Sequence, residues 1–115
     1  MKIKDLSKKI DLAQNNGVCD IIIDPGFGFG KTHEHNYELL SHTEAFQMFE
    51  LPIVAGVSRK SMIYKLLDST SEESLNGTTA VHMLLLQKGV QILRVHDVKE
   101  AREVVKIYLE SLKKA

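Results

Sequence analysis

Ile3, Leu6, Ile10 and Ala13 recur at helical spacing and stop at Asn15-Asn16-Gly17, so the chain predicts an opening amphipathic helix with one apolar face. The next apolar segment changes period. VCDIIID, residues 18–24, is a β-branched run closed by Asp24-Pro25-Gly26, the pattern of a strand covered on both faces as in a parallel sheet. From His35 to Phe49 the spacing of Leu39, His42, Phe46 and Phe49 is helical again, and Pro52 opens a second short strand, PIVAGVS. A helix starting near Arg59 is expected to turn Met62, Ile63, Leu66 and Leu67 inward before the polar stretch DSTSEES ends it. A further helix over 74–88 ends at Lys88-Gly89, and VQILRVHDV predicts a third strand. Ala101, Val104, Val105, Tyr108, Leu109 and Leu112 form the apolar stripe of a last helix, with Asp97 and Glu100 at capping-box spacing before it.

Helices and strands alternate throughout, with no internal repeat, and such a βαβ series implies right-handed crossovers and a parallel sheet. Either an open doubly wound sheet or part of a (βα)8 barrel satisfies the pattern. At 115 residues the chain is short for eight strands, and one domain is the expectation. Fifteen basic residues balance fifteen acidic ones, which leaves no broad field for nucleic acid or an anionic membrane and makes any anion site local. No apolar run reaches the ~20 residues of a membrane span, and the start lacks a signal-peptide core, so a soluble, cytoplasmic protein is expected. The single cysteine, Cys19, beside an isoleucine run, reads as a buried thiol.

Chemistry-bearing residues gather at the predicted strand ends. DPGFGFGKT, residues 24–32, suggests a phosphate loop, but Pro25 stands where the P-loop requires its first glycine, and Lys31 where a dinucleotide fingerprint requires its third. Asp24 instead ends an apolar strand, where its carboxylate either pairs with a core donor or is exposed at the sheet's carboxyl edge, the place where parallel α/β folds hold their ligands. Ser58, Arg59, Lys60 and Ser61 follow the second strand at a helix start, where free N–H groups, hydroxyls and two cations suit an anion, although a serine cap with solvated cations, taken alone, explains them more readily. In the third strand Arg94 and His96 alternate with aliphatic neighbours and share one side, which must line a polar cavity or meet carboxylates. Asp97 is assigned to its cap. His33 and His35 lack a third ligand and read as a solvated turn; His42 and His82 read as helix-face residues.

Asp-Pro-Gly-Phe-Gly-Phe-Gly-Lys at 24–31, His-Asn at 35–36, Gly-Val-Ser-Arg-Lys-Ser at 56–61, Asn-Gly-Thr-Thr-Ala at 76–80 and Arg-Val-His-Asp-Val at 94–98 together resemble dihydropteroate synthase, a pterin-binding family. The resemblance is to its C-terminal portion, strands six to eight of a (βα)8 TIM barrel, and implies a partial barrel of three parallel strands with covering helices. It also implies a transferase that condenses p-aminobenzoate with 6-hydroxymethyl-7,8-dihydropterin diphosphate in folate biosynthesis, using Mg²⁺ and releasing pyrophosphate. Asp24 would then bind the pterin's amino and ring N–H groups, Lys60 its carbonyl side, and Gly56 would permit close approach. Ser61 would lie near the aminobenzoate carboxylate and Phe29 beside its ring. Arg94 would pack on the pterin and, with His96, grip the departing diphosphate; Lys60, Arg94 and His96 form the implied catalytic set. No metal ligand is implied within residues 1–115, the Mg²⁺ ligands being expected elsewhere. The missing part of the barrel, in the same or a partner chain, is the implied partner, homo-oligomers being a further possibility, and this chain by itself is expected to be inactive. Two other readings stay open: a non-catalytic pterin-binding remnant or interaction module, and a methyltetrahydrofolate-binding methyltransferase, against which the Ser-Arg-Lys-Ser cations argue.

Overall fold

A computed structural model describes residues 3–113. The opening helix, α1 (Ile3–Asn15), buries Leu6 and Ile10, as its apolar spacing requires. The segment after it is less regular than its β-branched composition suggests. Only Ile23 joins a ladder, in a parallel bridge to Ile53: its N–H donates to the Pro52 carbonyl at 2.8 Å, and its own carbonyl accepts from Val54 at 2.8 Å. Val18 and Ile22 are exposed, so that run is not covered on both faces, and the Cys19 thiol is exposed as well, which corrects its expected burial.

The helix expected over 35–49 divides into α2 (His33–Ser41) and a 3-10 helix over Thr43–Phe49. Three consecutive polar side chains bond back to the helix at the break. Ser41 Oγ donates to the Glu38 carbonyl at 2.9 Å, His42 Nδ1 lies 2.9 Å from the same oxygen, and Thr43 Oγ1 donates to Leu39 at 2.7 Å. The Glu38 carbonyl still accepts the His42 N–H at 3.2 Å, so these bonds add to the backbone ones, and such back-bonding weakens and bends a helix. Phe46 still reaches the core.

Strand β1 (Val54–Ala55) pairs in parallel with β2 (Ile92–Leu93), Val54 opposite Ile92 and Ala55 opposite Leu93. Arg94 extends the contact, its N–H donating to the Ala55 carbonyl at 3.0 Å. Three extended segments therefore lie parallel, with β1 in the middle, and the fold is an α/β arrangement of a small parallel sheet with helices around it. Between the strands sit α3 (Ser61–Tyr64) and α4 (Leu75–Gln87), and α5 (Val98–Leu112) ends the described chain. The helix expected from Arg59 to Leu67 is only four residues long, and it is followed by a turn ending at Asp68, whose φ is 51°. Met62 and Ile63 enter the core, whereas Leu66 and Leu67 are each 54% exposed, against their expected inward orientation.

The core lies on one side of the strands, where Ile23, Ile53, Ala55 and Val57 meet Phe27, Ile63 and Leu85. Each large aliphatic or aromatic side chain buried there contributes about 1.5–3 kcal/mol relative to exposure. The apolar stripe of α5 is only half used: Ala101 and Val104 are buried, and Leu109 and Leu112 are exposed.

Candidate active site at the strand ends

Phe27, 1% exposed, plugs the core from the middle of the 24–31 loop and so fixes the backbone on either side of it. Asp24 Oδ1 accepts from the Gly26 N–H at 2.9 Å, an Asx turn that directs the chain off the strand. Farther along, Gly28 N–H donates to Asn36 Oδ1 at 2.8 Å, and Asn36 Nδ2 returns to the Thr32 carbonyl at 3.1 Å. Asn36 is only 4% exposed, so α2 holds this loop through a buried amide. The Lys31 ammonium donates to the Gly26 carbonyl at 2.8 Å and closes the loop on itself. The loop is thus a pinned strand-to-helix turn.

Lys60 arrives from the turn after β1. Its ammonium donates to the Phe27 carbonyl at 2.6 Å and stands 4.9 Å over the ring of Phe29, which is otherwise exposed. Burial pushes the Lys60 amine below the usual lysine range; the nearby Arg94 cation adds to this, and Asp24 opposes it. A side chain at residue 28 would crowd Lys60: a Cβ there meets Lys60 Cδ at 3.2 Å, and φ is 85°.

From β2, Arg94 reaches back to Asp24, with both Nη1 and Nη2 at 3.4 Å from Oδ2. These contacts are at the long limit of hydrogen bonding, and the side chains are 55% and 37% exposed, so the pair contributes only about 0–1 kcal/mol and stays open to a ligand. Gly56 makes room for Arg94, since a Cβ at 56 would stand 2.6 Å from Nη2 and 2.9 Å from Nε. Asp24, Lys60 and Arg94 therefore converge from three different strand ends, with Gly56 beneath and Phe29 at the rim. One carboxylate flanked by two cations can hold a flat ligand by its N–H edge and an anionic group beside it.

The other candidates stand differently. Ser61 is exposed at the first position of α3, a helix too short to concentrate much dipole at its start. His96 is exposed, and its backbone N–H donates to the buried Ser58 hydroxyl at 3.2 Å. The alternation read for the third strand holds, with Arg94 and His96 more open than Leu93 and Val95. Arg59 is not an available anion-binding cation. Its Nε and Nη2 pair with Asp97 Oδ2 and Oδ1 at 2.9 and 3.0 Å, and Nη1 donates to the Ser71 and Glu72 carbonyls. The Arg59 guanidinium holds the Asp97 carboxyl below the usual carboxylate range. Asp97 sits at the cap position of α5 without a side-chain cap bond, so the capping-box reading hid its actual partner. Asn36 was given no role of its own; its signal was the spacing to Leu40, which places an amide on the buried face of α2. His33 and His35 are exposed at the start of α2, as read. His82 lies inside rather than on a helix surface, 2% exposed, and among the described residues its Nε2 is the buried side-chain polar atom without a partner. No helix of the described residues is long and apolar enough to cross a membrane.

Several proteins of known name are similar to this chain. It is 46% identical over 87 residues to a dihydropteroate synthase of Escherichia coli strain K12, a match covering 76% of this chain and 31% of that protein. With the dihydropteroate synthase of Clostridium beijerinckii it shares 40% over 108 residues, covering 91% of this chain and 40% of the relative. Among solved structures, the 7,8-dihydropteroate synthase of Vibrio fischeri superposes on 97% of this chain and 42% of its own, with TM-score 0.89 and 45% identity. A Yersinia pestis dihydropteroate synthase, solved as a sulfonamide drug complex, gives TM-score 0.93 at 37% identity, again over 97% of this chain and 42% of that one. The chain thus spans well under half the length of these relatives. The pterin binding enzyme family matches residues 3–96, most of the chain including all three strand ends, and the chain belongs to that family.

Proposed function

We propose that this chain is the C-terminal, substrate-binding portion of a dihydropteroate synthase, contributing three strands to a (βα)8 barrel and acting only with the rest of that barrel. The convergence of Asp24, Lys60 and Arg94 at one edge carries the reading. The reaction joins the p-aminobenzoate nitrogen to the exocyclic methylene of the pterin. As that C–N bond forms, the C–O bond breaks, pyrophosphate leaves with the electron pair, and the amine loses a proton. Asp24 accepts from the pterin's amino and ring N–H groups, and Lys60 holds its carbonyl side, with Gly56 permitting close backbone approach. Arg94 covers the pterin plane and, with His96, meets the diphosphate as its charge grows, when cations already in place help most. Phe29 and Ser61 border the aminobenzoate. Folate biosynthesis in the cytoplasm is the matching context.

Mg²⁺ belongs to the proposed reaction as a counter-charge for the diphosphate. Its ligands are proposed to lie outside this chain, as the resemblance implies, and no step here runs through it. The need for the remaining barrel is supported by an open groove of about 1680 Å³, lined by Leu93 and Val95 beyond β2 and by Val105, Tyr108 and Leu109 of α5. The outer side of β2 and this apolar wall suit further strand and helix units.

Mixing the chain with the family's first five βα units and measuring pyrophosphate release tests the proposal. Turnover that needs both pieces is expected. A folded, stable mixture that binds the pterin diphosphate but releases no pyrophosphate would replace this reading with that of a pterin-binding module.

A further inference from the structure

Between β1 and α3 an arginine occupies a conformation that arginine avoids. The Val57 carbonyl accepts from Lys60 N–H at 3.0 Å, closing a four-residue turn, and Arg59, its third residue, has φ 57°. Glycine is the favoured occupant of such a position, because a Cβ crowds the following carbonyl, a cost that asparagine tolerates through its short polar side chain. Every polar part of Arg59 is anchored. Its N–H donates to Thr78 Oγ1 at 3.1 Å, its carbonyl accepts from Ser71 Oγ at 3.2 Å, and its guanidinium forks onto Asp97 while reaching the Ser71 and Glu72 carbonyls. One residue thereby joins the turn after β1, the polar 71–72 segment and the turn after β2. A left-handed residue persists only where its surroundings over-determine it, and the residue after this one is Lys60.

We propose that Arg59 and Asp97 are positioning residues, whose clasp holds the left-handed turn and so aims Lys60 at the Asp24–Arg94 edge. For its effect on substrate the inference rests on the dihydropteroate synthase reading; the aim of Lys60 can be tested without any ligand. Glycine at 59 would take the turn without cost but would not tie the three segments together. Alanine would lose the ties and keep the steric cost.

The test uses the full chain with its lysines ¹³C-dimethylated, the Lys60 resonance being assigned by its loss in Lys60→Arg. In the unaltered chain Lys60 is expected to titrate below the ordinary lysine range, because it is partly buried beside Arg94. In Asp97→Asn and Arg59→Ala its titration should rise toward that ordinary range, as the side chain swings into water. In Arg59→Gly it stays low, since glycine restores the turn; a clasp serving stability alone would not give this rescue. In the assembly with the first five βα units, Arg59→Ala binds the pterin diphosphate roughly fivefold to thirtyfold more weakly than Arg59→Gly. Identical Lys60 titration in the unaltered, Asp97→Asn and Arg59→Ala chains overturns the proposal, and Asp97→Asn decides alone if Arg59→Ala does not fold. A shifted Lys60 signal with unchanged pterin affinity upholds the clasp and overturns the substrate reading.

Discussion

Gly56→Ala separates the fold from the site. The Cβ it adds would lie 2.6 Å from Arg94 Nη2, 2.9 Å from Nε and 3.0 Å from Cζ. Unstrained heavy-atom contacts begin near about 3.5 Å, so the guanidinium must retreat by about 1 Å. Arg94 can do so, because its side chain is 55% exposed and flexible. Gly56 does not have a left-handed φ, so alanine adds no backbone penalty there. Stability should therefore change by less than about 1 kcal/mol, since reduced freedom of the unfolded chain offsets part of the crowding. The Asp24–Arg94 contacts at 3.4 Å have no slack to absorb the retreat, and the pair opens. Binding of 6-hydroxymethyl-7,8-dihydropterin diphosphate in the complete barrel should weaken by about 1–3 kcal/mol, roughly fivefold to 150-fold. Urea unfolding and isothermal titration calorimetry measure the two effects. Unchanged affinity, or a stability loss above about 3 kcal/mol, would refute the reasoning.

Three further predictions concern the scaffold. Asn36→Ala removes the acceptor of the Gly28 N–H and should cost about 1–3 kcal/mol in urea unfolding, with loss of amide-exchange protection at Gly28; native protection there would exclude the role. Gly77→Ala places a Cβ 2.7 Å from both Ile63 Cγ2 and Leu67 Cδ1, and overpacking of the α3–α4 contact should cost about 1–3 kcal/mol. Burial holds the His82 imidazole below its ordinary range, so the folded chain keeps it neutral while the unfolded chain binds a proton near about pH 6.5. Its share of stability is therefore full above that pH and falls as pH drops toward the folded-state value; His82→Leu should flatten unfolding free energy across that window, and an unchanged slope would contradict the burial argument.

Helix positions were legible from apolar spacing and end signals: α1 and α5 lie where Leu6 and Ile10, and Ala101 and Val104, require, and α4 stops just before Lys88-Gly89. The break after Ser41 was not, since three side chains bond back to the helix there and hydrophobic period does not register them. The first strand failed for another reason. A β-branched run states a preference for pairing, but pairing needs a neighbour, and beyond Ile23 the described chain supplies none. At the site, polar residues ending apolar strands pointed to Asp24 and Arg94, and the cation-rich turn to Lys60. Arg59 and Asp97 escaped because both had adequate local explanations, a solvated cation and a cap, while their bond spans 38 residues of chain. Only coordinates reveal a contact of that separation.

The most direct test of the account is the affinity of the reconstituted barrel for 6-hydroxymethyl-7,8-dihydropterin diphosphate with Lys60→Ala, measured by calorimetry beside the unaltered assembly. The account predicts weaker binding by about 1–3 kcal/mol in a barrel that remains folded. Equal affinity in the two assemblies would contradict it.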